Sequence, residues 1–280
     1  MTKNLDLIST KNLVNLFLNE ELQSIKKLRK QKNNITKVIS LIIKKLKTNG
    51  KIIYAGAGTS GRIGILDATE CNPTFSTDSF QYLMAGGKNA FIKAKEGSED
   101  NTKSAVKDIK KLKLTKNDIV IGISASGETP YTISAVKYAK KHRVSTVAIT
   151  SNPKSTLSKI ADYSISPEIK DEIIQGSTRL KSGTAQKIIL NMLSSISMIK
   201  NGKVFKNLMI DVKPTNKKLI KRAIGIISTV CKVSFKKAKE LFFKSGRNTK
   251  AAIVMHLKKA SKEKAKEILK KTKFNLRKAI

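Results

Sequence analysis

Tryptophan is absent from this chain, and cysteine, histidine and proline are scarce: two, two and five residues in 280. Two cysteines, Cys71 and Cys231, cannot build a disulfide scaffold. Together with His142 and His256 they give no zinc-ligand spacing either. No apolar run approaches the roughly 18 residues of a membrane-spanning helix. The start, MTKNLDLIST, has no apolar stretch of the kind a secretory signal carries. These absences lead to the expectation of a cytoplasmic protein with no metal and no membrane partner. Acidic residues are few, 20 against 57 Lys and Arg, for a formal charge of +37. Arginine is the rare cation, with 7 residues against 50 Lys. Base and phosphate recognition favours the planar arginine fork. The lysine excess is therefore read as a compositional background, with no nucleic-acid partner, because net charge speaks to solubility and non-specific binding.

The charge is uneven. Residues 51–100 carry 5 basic and 6 acidic groups, net −1, whereas residues 215–280 carry 21 and 3, net +18. About 40% of the residues are hydrophobic, enough for a substantial core. Two helices are expected in residues 1–48, the first capped by Ser9 or Thr10. From residue 51 short β-rich runs alternate with helical ones: KIIYAG, FQYLMAGG, DIVIGIS, VSTVAIT and YSISP are the strand candidates. This alternation predicts a mostly parallel sheet covered on both faces. A long helix is expected over about 182–199, burying Ala185, Ile188, Ile189, Met192, Leu193 and Ile196. Beyond Pro214 only helical segments follow. The expected divisions are 1–48, 49–214 and 215–280.

Two segments share one layout. IIYAGAGTSGR and IVIGISASGETP each run from a strand through small residues and Ser-Gly into a helix. Small residues let the backbone approach an anion, hydroxyls donate to it, and the helix start presents free N–H groups. Either Ser-Gly turn alone could equally be an ordinary helix cap. The first loop is literally G-x-G-x-x-G, at Gly56, Gly58 and Gly61. A dinucleotide site also wants an acidic residue at the end of the next strand. That strand ends in Ala85-Gly86-Gly87, and Asp78 precedes it, so a sugar-phosphate pocket fits better. Thr59, Ser60 and Gly61 in the first loop, and Ser124, Ser126, Gly127 and Thr129 in the second, are the candidate phosphate ligands.

The near-neutral block also holds Glu70, in DATECNPT, and Glu96 and Glu99, in KEGSED. Any one of them could simply pair with a nearby lysine. Two carboxylates from different segments beside a phosphate loop are suited to paired acid and base work, one protonated and one ionised. No G-x-S-x-G elbow is present.

Taken in order, GAGTSGRIGILDATECNPT, AGG, EGSEDN, GISASGETPY, TSNP, GSTRLKSGTAQKIILNMLS and GKVFKNLMIDVKPTN closely resemble the N-acetylmuramic acid 6-phosphate etherase family. The resemblance runs from NLDLIST to NLRKAI. It implies an α/β fold: a three-layer αβα sugar isomerase (SIS) domain, N-terminal helices and a small C-terminal helical domain. It also implies a homodimer, because a related regulatory protein carries two SIS domains and this chain one. The implied activity is cleavage of the D-lactyl ether of N-acetylmuramic acid 6-phosphate, without metal or cofactor, in peptidoglycan recycling. By motif match Glu70 is the proton donor and Glu99 the second catalytic carboxylate. Ser177 and Lys181, in GSTRLKSGTAQK, join the substrate-binding set. A non-catalytic sugar-phosphate-binding regulator of the same fold is the alternative, but it would need neither glutamate. Two departures stand out. Glu128 replaces the arginine of the family's SGRTP loop, and the family's T-E-x-R-N segment ahead of NLDLIST is not in this sequence.

Overall fold

The computed structural model describes residues 4–280. A short 3-10 turn at Leu5–Leu7 leads to α1 (Thr10–Arg29), where Ser9 takes the cap and accepts from the Asn12 amide. Then follow α2 (Lys32–Leu46), β1 (Ile52–Gly56), α3 (Gly58–Phe75), β2 (Phe80–Met84) and α4 (Asn89–Ile92). Next come a 3-10 turn at Ser98–Asp100, α5 (Thr102–Lys111), β3 (Ile119–Ile123), α6 (Pro130–Lys141) and β4 (Ser145–Ile149). The series continues with α7 (Thr156–Ile160), β5 (Tyr163–Ile165) and α8 (Lys181–Lys200). It ends with α9 (Lys217–Cys231), α10 (Phe235–Lys244), α11 (Thr249–Leu257), α12 (Lys262–Lys271) and α13 (Leu276–Ala279). No helix among the described residues is long and apolar enough to cross a membrane.

The five strands form one parallel sheet in the order β2-β1-β3-β4-β5. The expected α/β class and mostly parallel sheet are therefore present. Every residue of β1 and β3 is buried, as strands covered on both faces require. On one face Ile53, Val120 and Ala148 pack with Ala105 and Ile109 of α5 and with Ala135 and Ala139 of α6. On the other, Gly64 of α3 sits so close to Tyr54 that a Cβ there would lie 3.1 Å from the tyrosine Cβ. The Tyr54 hydroxyl donates to Asp67, one turn further along α3, at 3.0 Å. Gly122 makes room for α6 at the sheet centre, since a Cβ would come within 2.7 Å of Val136.

Helix α8 is rotated slightly from its expected face. Ala185, Ile189 and Leu193 are buried as anticipated, but Ile188, Met192 and Ile196 are only half-buried. Gln186, Leu190 and Ser197 take the inner positions instead. The hydrophobic count alone could not place two polar residues inside.

The chain divides into two compact units. One holds residues up to Ala68 with Ser79–Leu193, and the other holds Thr69–Asp78 with Ser194–Ile280. The second unit has its own core, including Ile224, Ile227, Phe242, Ile253, Val254 and Leu269. Asn216, Ser234, Asn248, Ser261 and Asn275 each accept an amide of the first turn that follows. Caps of this kind are worth about 1 kcal/mol each, which helps short lysine-rich helices to hold. Both cysteines are buried and neither forms a disulfide, and burial pushes the Cys231 thiol up to about 11.

Candidate functional site

Parallel sheets of this order change direction between β1 and β3, and ligands collect beyond the strand ends at that switch. Both glycine- and serine-rich loops lie there. In the first, β1 ends at Gly56 and α3 begins at Gly58, whose φ is +52°. A Cβ on Gly61 would lie 2.9 Å from the Gly56 carbonyl oxygen, and one on Gly56 would lie 2.9 Å from the Gly61 amide nitrogen. The glycines thus let the helix start press directly on the strand end. Thr59 and Ser60 are half-buried in that first turn. Gly61→Ala is expected to cost about 1–3 kcal/mol, the usual penalty of overpacking. A thermal midpoint equal to that of the parent would refute the close-approach account.

The second loop is organised around Ser124, which is buried. Its Oγ accepts from the Gly127 amide at 3.0 Å and is bonded to the Thr129 hydroxyl at 2.8 Å and the Ser126 hydroxyl at 3.3 Å. Ser126 Oγ accepts from the Glu128 amide at 3.2 Å. Thr129 occupies the cap position of α6 without making a side-chain cap bond. These hydroxyls therefore shape the loop ahead of the helix, and the ordinary helix-cap reading does not describe this turn. Glu128 is exposed, yet its carboxylate accepts from the Thr156 amide at 2.8 Å, at the start of α7. Hydrogen bonding from Thr156, first from its side chain and then from this amide, holds the Glu128 carboxyl below the usual range.

The start of α8 lies beside the first loop, since a Cβ on Gly183 would be 3.6 Å from Thr59 Cγ2. Glu172 accepts from both the Lys181 and Ser182 amides at 2.9 Å, so a carboxylate caps this helix. Ser177 lies in the turn before it, its amide donating to the Ile174 carbonyl at 3.0 Å. Lys181 is buried, and its ammonium meets Glu20 of α1 at 2.7 Å. Its charge is already balanced within the protein. Ser126, Glu128, Ser151, Glu172, Thr178 and Ser182 line a cavity of about 390 Å³. Ser182 Oγ there accepts from Ser151 Oγ at 3.0 Å. The second loop and the α8 start thus share one cavity, although Ser177 and Lys181 do not line it.

Glu99 sits in the Ser98–Asp100 turn, entered through Gly97 at φ +69°. With Gly58, Arg62, Lys95, Glu96 and Ser98 it lines a smaller cavity of about 110 Å³ beside the first loop. Arg62 donates to the carbonyls of Ala90 at 2.8 Å and Phe91 at 3.0 Å. It thereby ties α3 to the segment leading toward Glu99. Glu70 is exposed near the end of α3, on the part of that helix that belongs to the second unit. Arg62, Glu172 and Glu20 were not indicated by the sequence patterns. Arg62 follows the Ser-Gly pair directly and could have been noticed for that; the two glutamates reach their partners from segments without any spacing signal.

Family models match most of the chain. The N-terminal SIS domain of glucokinase regulatory protein matches residues 34–140, the SIS domain residues 101–196, and the C-terminal lid domain of glucokinase regulatory protein residues 206–251. An N-acetylmuramic acid 6-phosphate etherase from Francisella philomiragia is 47% identical, covering 96% of this chain and 92% of the relative. One from Bacillus cereus is 46% identical, covering 100% and 96%. Among solved structures, a phosphoheptose isomerase from Francisella tularensis superposes with a TM-score of 0.57 at 19% identity, covering 69% of this chain and all of the other. That likeness is one of fold. Near-full-length identity and the paired loops lead to one conclusion: the chain belongs to the N-acetylmuramic acid 6-phosphate etherase family.

Proposed function

We propose that the protein cleaves the D-lactyl ether of N-acetylmuramic acid 6-phosphate, giving N-acetylglucosamine 6-phosphate and D-lactate. It is then a carbon–oxygen lyase of peptidoglycan recycling, acting in the cytoplasm as a homodimer. The observation that carries this reading is 46–47% identity to the named etherases over nearly the whole chain, in a sequence that contains both DATEC and EGSED.

The chemistry suits the residues. In the open-chain sugar the C1 aldehyde acidifies the C2 proton. A carboxylate removes it, the C3–O bond breaks, and the departing lactate oxygen takes a proton from an acid. Water then adds at C3 of the unsaturated aldehyde, and a proton returns to C2. Glu99 is assigned as the base and Glu70 as the acid, each a role a positioned carboxyl fills. The 6-phosphate is assigned to the loops of the SIS region, 49–214. Thr59 and Ser60 at the start of α3, and one or other of Ser126 and Thr129 around the Ser124 hub, supply hydroxyl donors. The start of α3 adds its unpaired amides and positive dipole end. The negative charge of Glu172 on α8 leaves that helix start less suited to a phosphate.

Incubation with N-acetylmuramic acid 6-phosphate is expected to release D-lactate and N-acetylglucosamine 6-phosphate in equal amounts. Folded protein that releases no D-lactate would overturn the reading.

A further inference from the structure

We propose that Glu128 is a positioning residue for the second phosphate loop, its carboxylate fastening the loop to the start of α7. The inference rests on the reading that this loop holds the sugar phosphate.

The loop lies along the segment that follows β4, and successive residues are tied to it. The Ala125 carbonyl accepts from the Ser151 amide at 2.9 Å and from Thr150 Oγ1 at 3.1 Å. The Gly127 carbonyl accepts from the Leu157 amide at 3.0 Å. Glu128 adds a side-chain contact, accepting from the Thr156 amide at 2.8 Å. Between these ties the chain turns at Gly127, whose φ is +73°. It runs there so close to Ser155 that a Cβ would collide with that hydroxyl. The Glu128 bond therefore closes the far side of a tight turn whose near side carries Ser124 and Ser126.

The type of residue fits the task. A carboxylate is favoured beside a first-turn amide that has no partner within its own helix. Lys159, further along α7, adds an attractive charge. An arginine at this position could not accept the Thr156 amide, because a guanidinium has no acceptor. The glutamate here is thus engaged with α7, and the apparent charge conflict with a bound phosphate is reduced by that engagement. Because hydrogen bonding from the Thr156 side chain and amide depresses the carboxyl's pKa, the contribution of this contact is full above the ordinary carboxylate range and is lost as pH falls through the depressed value. At neutral pH it does not vary.

The test compares the parent protein with Glu128→Ala and Glu128→Gln. Three quantities are measured: KM and kcat with N-acetylmuramic acid 6-phosphate, the Kd of N-acetylglucosamine 6-phosphate by calorimetry, and the thermal midpoint. Glu128→Ala is expected to raise KM and Kd about fivefold, the scale of one lost hydrogen bond, with a smaller change in kcat. Glu128→Gln keeps an acceptor oxygen and should recover most of the loss. Equal Kd values for parent and Glu128→Ala overturn the positioning role whatever the turnover, as does a Glu128→Gln as weak as Glu128→Ala. A parent that binds N-acetylglucosamine 6-phosphate but releases no lactate overturns the etherase reading alone, and the Kd comparison still decides the role of Glu128. A parent that binds no sugar phosphate overturns both.

Discussion

Glu99→Gln is expected to lose D-lactate release by about 10²–10⁴-fold, the range over which a positioned acid or base contributes. In deuterated water it should also fail to exchange the C2 hydrogen of N-acetylglucosamine 6-phosphate. Glu70→Gln should lose lactate release to a similar degree and yet keep the C2 exchange. The difference follows from the two bonds at stake. C2 exchange needs only a base and the C1 aldehyde, whereas C3–O cleavage also needs a proton for the leaving oxygen. Both substitutions keep side-chain size and remove the ionisable group, and both sites are exposed, so the folded state should be little disturbed. The opposite exchange pattern would swap the roles of base and acid. Undiminished lactate release in either variant would remove that residue from the mechanism.

The second large effect concerns stability of the helical unit. Lys250 of α11 is buried, with its ammonium 2.7 Å from Asp211 and 2.8 Å from the Phe274 carbonyl. Lys203 reaches the same carboxylate at 3.2 Å. Burial pulls the Lys250 pKa down, and Asp211 partly restores it. Asp211→Ala should strand a buried ammonium at a cost of about 3–5 kcal/mol. Lys250→Met should cost less, because the partly exposed Asp211 keeps Lys203. The double variant should be more stable than Asp211→Ala alone. In Asp211→Ala the folded-state pKa of Lys250 falls further below its unfolded value, so the unfolded chain binds more protons and the deficit should shrink as pH rises. Chemical denaturation of the four proteins at two pH values measures all of this. A double variant no better than Asp211→Ala would show that the ion pair is not the source of the loss. The network also bears on Glu70 indirectly, because the Ser76 hydroxyl, on the same short segment, donates to the Asp211 carbonyl.

The strands and most helices were legible because each carries its own signal. IVIGI is continuously apolar since both faces of β3 are covered, and the capping residues from Asn216 to Asn275 mark helix starts in the terminal unit. The two glycine- and serine-rich loops could be read for a similar reason, since a strand, small residues and a helix start are all local. Short helices such as α4 and α7 were missed, being four and five residues long, too short for periodicity to register. The partners of Lys181 and Glu128 were not legible either. Glu20 lies 161 positions from Lys181 and Thr156 lies 28 from Glu128. Only the fold brings them into reach, and a charge read in isolation says nothing about what neutralises it.

The hub at Ser124 has a consequence in the counting of protons. Its oxygen already accepts the Gly127 N–H, which leaves one lone pair and one hydrogen for two neighbouring hydroxyls. It must therefore donate to one of Ser126 and Thr129 and receive from the other. Of those two hydroxyls, one spends its hydrogen inside the loop and the other keeps it to give outward. The turn can adopt either order, so its outward face can change which residue offers a hydrogen without moving a heavy atom. An incoming group made only of acceptors can thus be met by a single rotation of three O–H bonds.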